Sequence, residues 1–474
     1  MQMVEEISMY DISRKELDKI EKSNKVFSII ILLVVFGTFF DAIEQYNAGY
    51  AASGVSSVFH ISASVISTQV EFITFGFMAV GAVIAGYMGD NLGRRFLYSF
   101  NLGIYAIGAL ISALSVNYSM FLFGRIVVGL GLGGEVAIGL TLISEIMPTR
   151  VRSQLTGAVN VGPGFGIFAV AILALIFIGP YEQIFGGSKL AWRWFLGILI
   201  LPALLILLYR RYIPETPRFL ISKGRQDEAF AVIKMLSENK LIPLKKLKNY
   251  YKVDDLRQQY NYIGLKPINE KPKTRELFAG KYARRSLLLF ILSFITFGTS
   301  ASFTIIYPEI FTSVATALHL SSTFTLTTIV NFGTLLGTFT AVFLATKNRK
   351  ILISTLGILA IIGAGLTVTF HSYAYIVVIS LFIFAIFSYA SNTTIWLYSP
   401  EMYPTRIRNI GTGFILATSL GGVAIMEVLT SYVYALYNLT GIGLVAIGAF
   451  VVYVILAFFM ADDTSKKDLE VVSP

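Results

Sequence analysis

The chain has no cysteine, which excludes a disulfide frame and a thiolate metal site and leaves its redox compartment unmarked. Charge is also scarce. Only 14% of residues are charged against 55% hydrophobic, and the mean hydropathy is +0.70, so a water-soluble body would lack the polar surface to cover itself. The three histidines, His60, His319 and His371, fall near outer loops on separate segments, which argues against a shared metal site. No Walker-type Gly-Lys-Ser/Thr loop occurs, so direct ATP drive is not expected. Gly129, Gly131 and Gly134 have dinucleotide-fingerprint spacing, but no strand precedes them, and close helix packing accounts for them better. No nucleophile, base and orienting group visibly converge, and the chain is not expected to be an enzyme.

What is present is apolar length. Segments of about 20 residues long enough to cross a bilayer fall near 26–50, 64–88, 95–115, 119–146, 154–178, 192–213, 285–310, 322–346, 350–370, 373–399, 408–435 and 440–461. This predicts an all-α membrane protein with twelve transmembrane helices in two pseudo-symmetric six-helix bundles. The net charge of +10 does not point to nucleic acid, because its carriers gather on one side. Arg14, Lys15, Lys19, Lys22 and Lys25 precede the first span, Arg94 and Arg95 follow the second, and Arg150 and Arg152 follow the fourth. Lys189 is an exception on the other side. Both termini are therefore expected in the cytoplasm, with the chain multi-pass in the plasma membrane, its body solvated by lipid.

The expected organisation is a cytoplasmic amino-terminal segment, 1–25, a first bundle, 26–213, a cytoplasmic linker with short helices, 214–284, a second bundle, 285–461, and a cytoplasmic tail, 462–474. The first apolar run is too long and lacks the small-residue pattern of a cleaved signal peptide. Ser13 and Glu16 have capping-box spacing and predict a short amphipathic helix starting there. In the linker, Phe230, Val232, Ile233 and Leu236 recur at helical spacing and predict a helix lying against the inner face. A solvated basic linker explains this segment more simply than a docking site for a regulatory partner.

The halves are related by a repeat. Glu145, Pro148, Thr149, Arg150, Arg152, Thr156 and Gly157 recur 256 positions later as Glu401, Pro404, Thr405, Arg406, Arg408, Thr412 and Gly413. A duplicated membrane bundle is most often a transporter. Further motifs carry a resemblance. Gly86, Gly89, Asp90, Gly93, Arg94 and Arg95 form a turn between spans 2 and 3; Arg125, Gly129, Gly131, Gly133 and Gly134 mark span 4; Pro214, Glu215, Pro217, Arg218 and Phe219 follow span 6. Together with the repeat, these make the chain resemble the major facilitator superfamily, in the group of sugar porters and their phosphate, organic-acid and synaptic-vesicle-protein-like relatives.

Physical reading and resemblance agree on the turns. Asp90, Glu145, Glu215 and Glu401 lie beside Arg94, Arg95, Arg150, Arg218 and Arg406 where helices meet the cytoplasm, and are expected to pair across the halves as gates for alternating access. Plain loop anchoring is the alternative. After span 8 the segment with Lys347, Arg349 and Lys350 shows no acidic partner, so the gate is expected to be asymmetric.

Ionisable groups within apolar spans mark the chemistry, since a charge there costs a few kcal/mol without a partner or a wet cavity. Asp41 and Glu44 lie one turn apart on span 1; Arg125 and Glu135 lie on span 4. Opposite span directions put Asp41 and Arg125 at comparable depth, and in proton-coupled sugar porters the matching pair couples transport. The resemblance thus implies Asp41 as proton carrier and Arg125 as its modulator, against a permanent helix-tying ion pair. Glu44 and Glu135 are candidate second proton sites or solute contacts, against neutral buried acids. The depth of Glu71, Glu309 and Glu427 is not fixed by the sequence. No cofactor is expected beyond the proton.

Solute contacts are expected from Gln45, Tyr46, Asn160, Tyr307, Asn331, Asn392 and Trp396, each against ordinary helix-packing polarity. The sugar-porter span 7 signature, a glutamine pair followed by Ser-Gly and Asn, is absent; Phe297, Gly298, Thr299 and Ser300 stand there. The expected function is a secondary active transporter of a small polar solute, such as an organic acid, a sugar or a phosphate-like ion, coupled to protons and working as a monomer. A non-transporting receptor signalling through 214–284, or a facilitative uniporter, is the alternative.

Overall fold

A computed structural model describes residues 9–20, 24–148, 159–201, 212–260, 262, 274–320, 322–345, 347–403 and 407–462. Every regular element among them is helical. α1 (Met9–Asp18) and α2 (Lys25–Tyr50) are followed by α3 (Ala52–Phe59), α4 (Ala63–Leu92), α5 (Arg94–Ala113), α6 (Tyr118–Leu132), α7 (Glu135–Ile146), α8 (Val161–Phe177) and α9 (Ser188–Gly197). The linker holds α10 (Pro217–Ser222), α11 (Gln226–Ser237), α12 (Leu244–Tyr250) and α13 (Val253–Tyr260). The second half contains α14 (Gly280–Ala317), α15 (Thr323–Phe343), α16 (Arg349–Thr369), α17 (Ala374–Tyr398) and α18 (Arg408–Met460).

Eight helices are long and apolar enough to cross a membrane, and α6 and α8 are shorter apolar helices. α18 counts twice, because Asn438 breaks it with φ 51° and ψ −146°, a conformation no continuing helix adopts. That gives eleven spans among the described residues; the expected span at 192–213 lies partly outside them. α6 and α7 are one span interrupted at Gly133 and Gly134. Span 7 is longer than the expected 285–310, since α14 carries Pro308 inside it and still runs from Gly280 to Ala317.

Short polar caps set the helix starts. The side chains of Asn24, Asn117, Ser322 and Asn348 accept backbone N–H groups at the beginnings of α2, α6, α15 and α16. Large apolar residues such as Leu32, Phe123, Ile358 and Phe459 point outward, which suits a lipid solvent and no other. Inside are two main apolar cores. One gathers the first half with the linker helices and borrows Ile305, Phe324, Leu416 and Leu420 from the second; the other lies wholly within 277–461.

The end of the molecule bearing the linker is called here the linker face, and its opposite the far face. α1 lies on the linker face, with Leu17 buried and Arg14 donating to the Met147 carbonyl at 3.0 Å. It begins at Met9, so Ser13 sits inside the helix and does not cap it. α11 forms where expected and is more than a solvated ribbon: Phe230 stacks on Tyr262 at 4.2 Å and on Tyr260 at 5.1 Å. Its end grips the first span, with Asn24 donating to the Leu236 carbonyl at 2.5 Å and the Val26 N–H to Asn239 Oδ1 at 3.2 Å.

Candidate functional site

Arg125 sits on α6 because the glycines around it let that helix close onto α4. A Cβ at Gly129 would meet the Thr74 carbonyl at 2.6 Å, so only glycine permits the approach. The guanidinium is fully buried, and it pairs with Glu44, not Asp41. Nη1 meets Glu44 Oε1 at 2.5 Å, Nη2 donates to the Glu44 carbonyl at 3.1 Å, and Nε donates to Thr74 Oγ1 at 3.3 Å. Asn47 donates to Glu44 Oε2 at 3.1 Å. The expected Asp41–Arg125 pair is thus corrected by one helical turn. Asp41 instead faces Glu135 at the start of α7, both carboxyls fully buried. All four ionisable residues are therefore brought together, as two pairs.

The expected solute contacts divide. Tyr46 and Asn331 meet at the junction between halves: Tyr46 and Tyr389 share a hydrogen bond between hydroxyls at 3.1 Å, and Asn331 donates to the Tyr50 hydroxyl at 2.6 Å. Tyr389 also contacts Thr304 at 3.4 Å, and Tyr50 stacks on Phe324. Asn392 and Trp396 continue the Tyr389 face of α17 toward the linker face, at helical spacing. Gln45 is buried on α2. Tyr307 is buried in the second-half core, stacked on Phe311. Asn160 is half-buried beside the start of α8, away from the Tyr46 junction in sequence and held by its own contacts. Sequence reasoning missed Tyr50 and Tyr389, although each is a helical turn from a named residue: Tyr50 follows Tyr46 by four, and Tyr389 precedes Asn392 by three.

At the linker face, ion pairs among the described residues form within each half. Arg94 meets Glu145 at 3.4 Å, and Thr216 donates to Glu145 at 2.6 Å. Glu215 caps α5 by accepting the N–H groups of Arg94 at 3.0 Å and of Arg95 at 3.3 Å. Gly93, at φ 97°, makes the turn that aims those groups at Glu215. The second half repeats the arrangement against expectation: Arg349 forms a two-bond fork with Glu401, at 2.6 and 3.1 Å. Arg218 is exposed beside Tyr10 and Arg14 of α1. Arg150 and Arg406 lie outside the described residues, and the side chain of Asp90 is not among those described. Among the described residues, no cluster of His, Asp and Glu has metal-site geometry. His60 and His319 both take left-handed backbone conformations just after helices.

Residues 25–474 match the family described as "Sugar (and other) transporter". The niacin transporter NiaP of Acinetobacter baylyi is 27% identical over 460 residues, covering 93% of this chain and 95% of that protein. The glucose transporter GlcP of Staphylococcus epidermidis is 26% identical, covering 81% and 82%. Among solved structures, the proton:xylose symporter XylE of E. coli superposes with a TM-score of 0.73 at 18% identity, covering 94% of this chain and 98% of that one. A multi-pass helical bundle that shares the fold of a major facilitator superfamily symporter, and a family match over nearly its whole length, lead to one conclusion: the chain belongs to the sugar (and other) transporter family, whose members are membrane transporters and not enzymes.

Proposed function

We propose that this transporter couples the movement of a small polar solute to protons, alternating between states open to either side, as a single chain in the plasma membrane with the linker face in the cytoplasm. The observation that carries the reading is the adjoining of two buried pairs, Glu44–Arg125 and Asp41–Glu135, inside the first-half spans. Ionisable groups in that setting are costly, and a pair of carboxyls beside an ion pair is a natural place to load and release a proton. A proton on Glu44 would loosen Arg125; a proton leaving the Asp41–Glu135 contact would drive those acids apart. Either event biases how α2 and α6 lie together, and with them the first half against the second. XylE, which shares this fold, is a proton:xylose symporter and supports coupling by analogy.

The test is reconstitution in liposomes with lumenal pH followed during addition of sugars, organic acids, phosphate and organic cations, comparing wild type with Asp41→Asn and Glu44→Gln. The expected outcome is a solute-dependent pH change that either variant abolishes. Isotope uptake without a pH change would make the chain a uniporter and return the acids to structural roles; the absence of saturable accumulation would favour a receptor.

A further inference from the structure

Glu71 is a buried carboxyl that proton coupling leaves unused. It lies on α4, fully buried, and its Oε1 accepts the Gly49 N–H at 2.8 Å while Oε2 has no donor among the described residues. Its contact at Gly49 falls beside two tyrosines of α2, Tyr46 three residues before and Tyr50 one after, and Tyr389 of α17 reaches Tyr46 from the second half. Across the junction, α18 packs against α4 and carries another buried carboxyl, Glu427; its Oε1 takes a bond from Ser431 at 3.2 Å, and its Oε2 also lacks a donor among the described residues.

A second, independent observation concerns what the site leaves unmet. Asn331 spends its amide nitrogen on Tyr50 and keeps Oδ1 without a donor, although the residue is fully buried. Asn47 and Asn392 also leave their carbonyl oxygens unmet, as Asn101 leaves its amide nitrogen and Thr299 and Ser300 their hydroxyls among the described residues. Around Glu71 itself, Glu427 and Asn331 thus add unmet acceptors. Charge points the same way: Asp41, Glu44, Glu71, Glu135 and Glu427 are buried, and the one buried guanidinium within the described spans, Arg125, is committed to Glu44. Arg94 and Arg349 are also buried but sit at the linker face on Glu145 and Glu401. An anionic solute would find no uncommitted cation within these described spans.

We propose that the transported solute enters this junction through a positively charged group, as a small organic ammonium, with Glu71 as its counter-charge and Tyr46, Tyr50 and Tyr389 as its aromatic wall. Such rings attract a cation by their electron-rich faces, and a desolvated carboxylate supplies the charge that a neutral ligand would not use. The assignment names the solute class for the transport reading above and rests on it.

The test measures binding to the purified full-length protein by calorimetry, using choline, its uncharged carbon isostere dimethylbutanol, butyrate and D-xylose, followed by vesicle uptake of the same labelled compounds. Choline is expected to bind about thirtyfold more tightly than the isostere, and Glu71→Gln to lose about thirtyfold in choline affinity. Gln keeps an oxygen for the Gly49 N–H, so the variant removes the charge and preserves the bond. Equal binding of choline and its isostere, or undiminished choline binding by Glu71→Gln, would overturn the assignment. Should Glu71→Gln not fold, the isostere comparison on wild type decides alone. Choline bound but never accumulated would sink the transport reading and leave the cation site standing; D-xylose or butyrate accumulated while choline neither binds nor moves would do the reverse.

Discussion

Arg125 and Glu44 form a pair in which each charge depends on the other for its place in the spans. Truncating one partner leaves the other charge buried and uncompensated, so Glu44→Gln or Arg125→Met alone is expected to cost about 3–5 kcal/mol, while the double variant recovers much of that. Thermal unfolding of the four proteins in detergent checks this, and additive losses would contradict it. The sequence put Asp41 and Glu44 on one face of a helix but did not reveal which of them reaches Arg125. The two differ by one turn, and span depth read from apolar length is no finer than that. Glu215, outside the spans, offers a pH test. Burial raises its carboxyl above the usual 4.5, opposed by the N–H groups of Thr216, Arg95 and Arg94. A raised carboxyl contributes stability below the unfolded value of 4.5 that is lost as pH rises through the folded one. Glu215→Gln is expected to flatten the fall in Tm across that window; identical slopes for variant and wild type would rule the contribution out.

Helix ends at the linker face show the repeat at work. Arg94 with Glu145, and Arg349 with Glu401, stand at almost the same offset as the repeated motif, yet neither pairing was legible: the partners are 51 and 52 positions apart and meet only when the helices pack. The fork of Arg349 to Glu401 is the better formed, and loss of a charge-assisted bond costs about 1.5–3 kcal/mol. Arg349→Ala is therefore expected to loosen the linker face more than Arg94→Ala, where the bond to Glu145 is 3.4 Å long. Because the chain has no cysteine, one introduced at Trp396 reports directly through its maleimide labelling rate. Equal rates in the two variants would contradict the ranking. The linker was read as solvated because its charge hides its core: Phe230 between Tyr260 and Tyr262 is what orders it. Phe230→Ala is expected to cost about 3–5 kcal/mol of local stability, seen as faster hydrogen exchange across 226–260 and, through Asn24 and Leu236, at the start of α2.

For the molecule as a whole, apolar length and the repeated motif sufficed to anticipate a helical bundle in two halves, because lipid permits so few backbone solutions. What joins the halves was less legible, since a contact such as Tyr50–Asn331 spans 281 positions and leaves no local pattern. That bond, capped by Phe324, ties the first half to the second near the far face. Tyr50→Phe removes the acceptor and leaves a buried amide donor unmet, at a cost of about 1–3 kcal/mol. The cost falls only on the state in which the far ends touch, so the population shifts toward the state in which they part, by about tenfold for each 1.4 kcal/mol. Thr327 lies on α15 one turn before Asn331, fully buried and close to cysteine in size. In a Thr327→Cys background, Tyr50→Phe is expected to raise labelling by a membrane-impermeant maleimide about tenfold from the far side and to leave labelling from the linker side unchanged or slower. Unchanged labelling from the far side would mean that the tyrosine hydroxyl merely fills space and that the halves are held closed elsewhere.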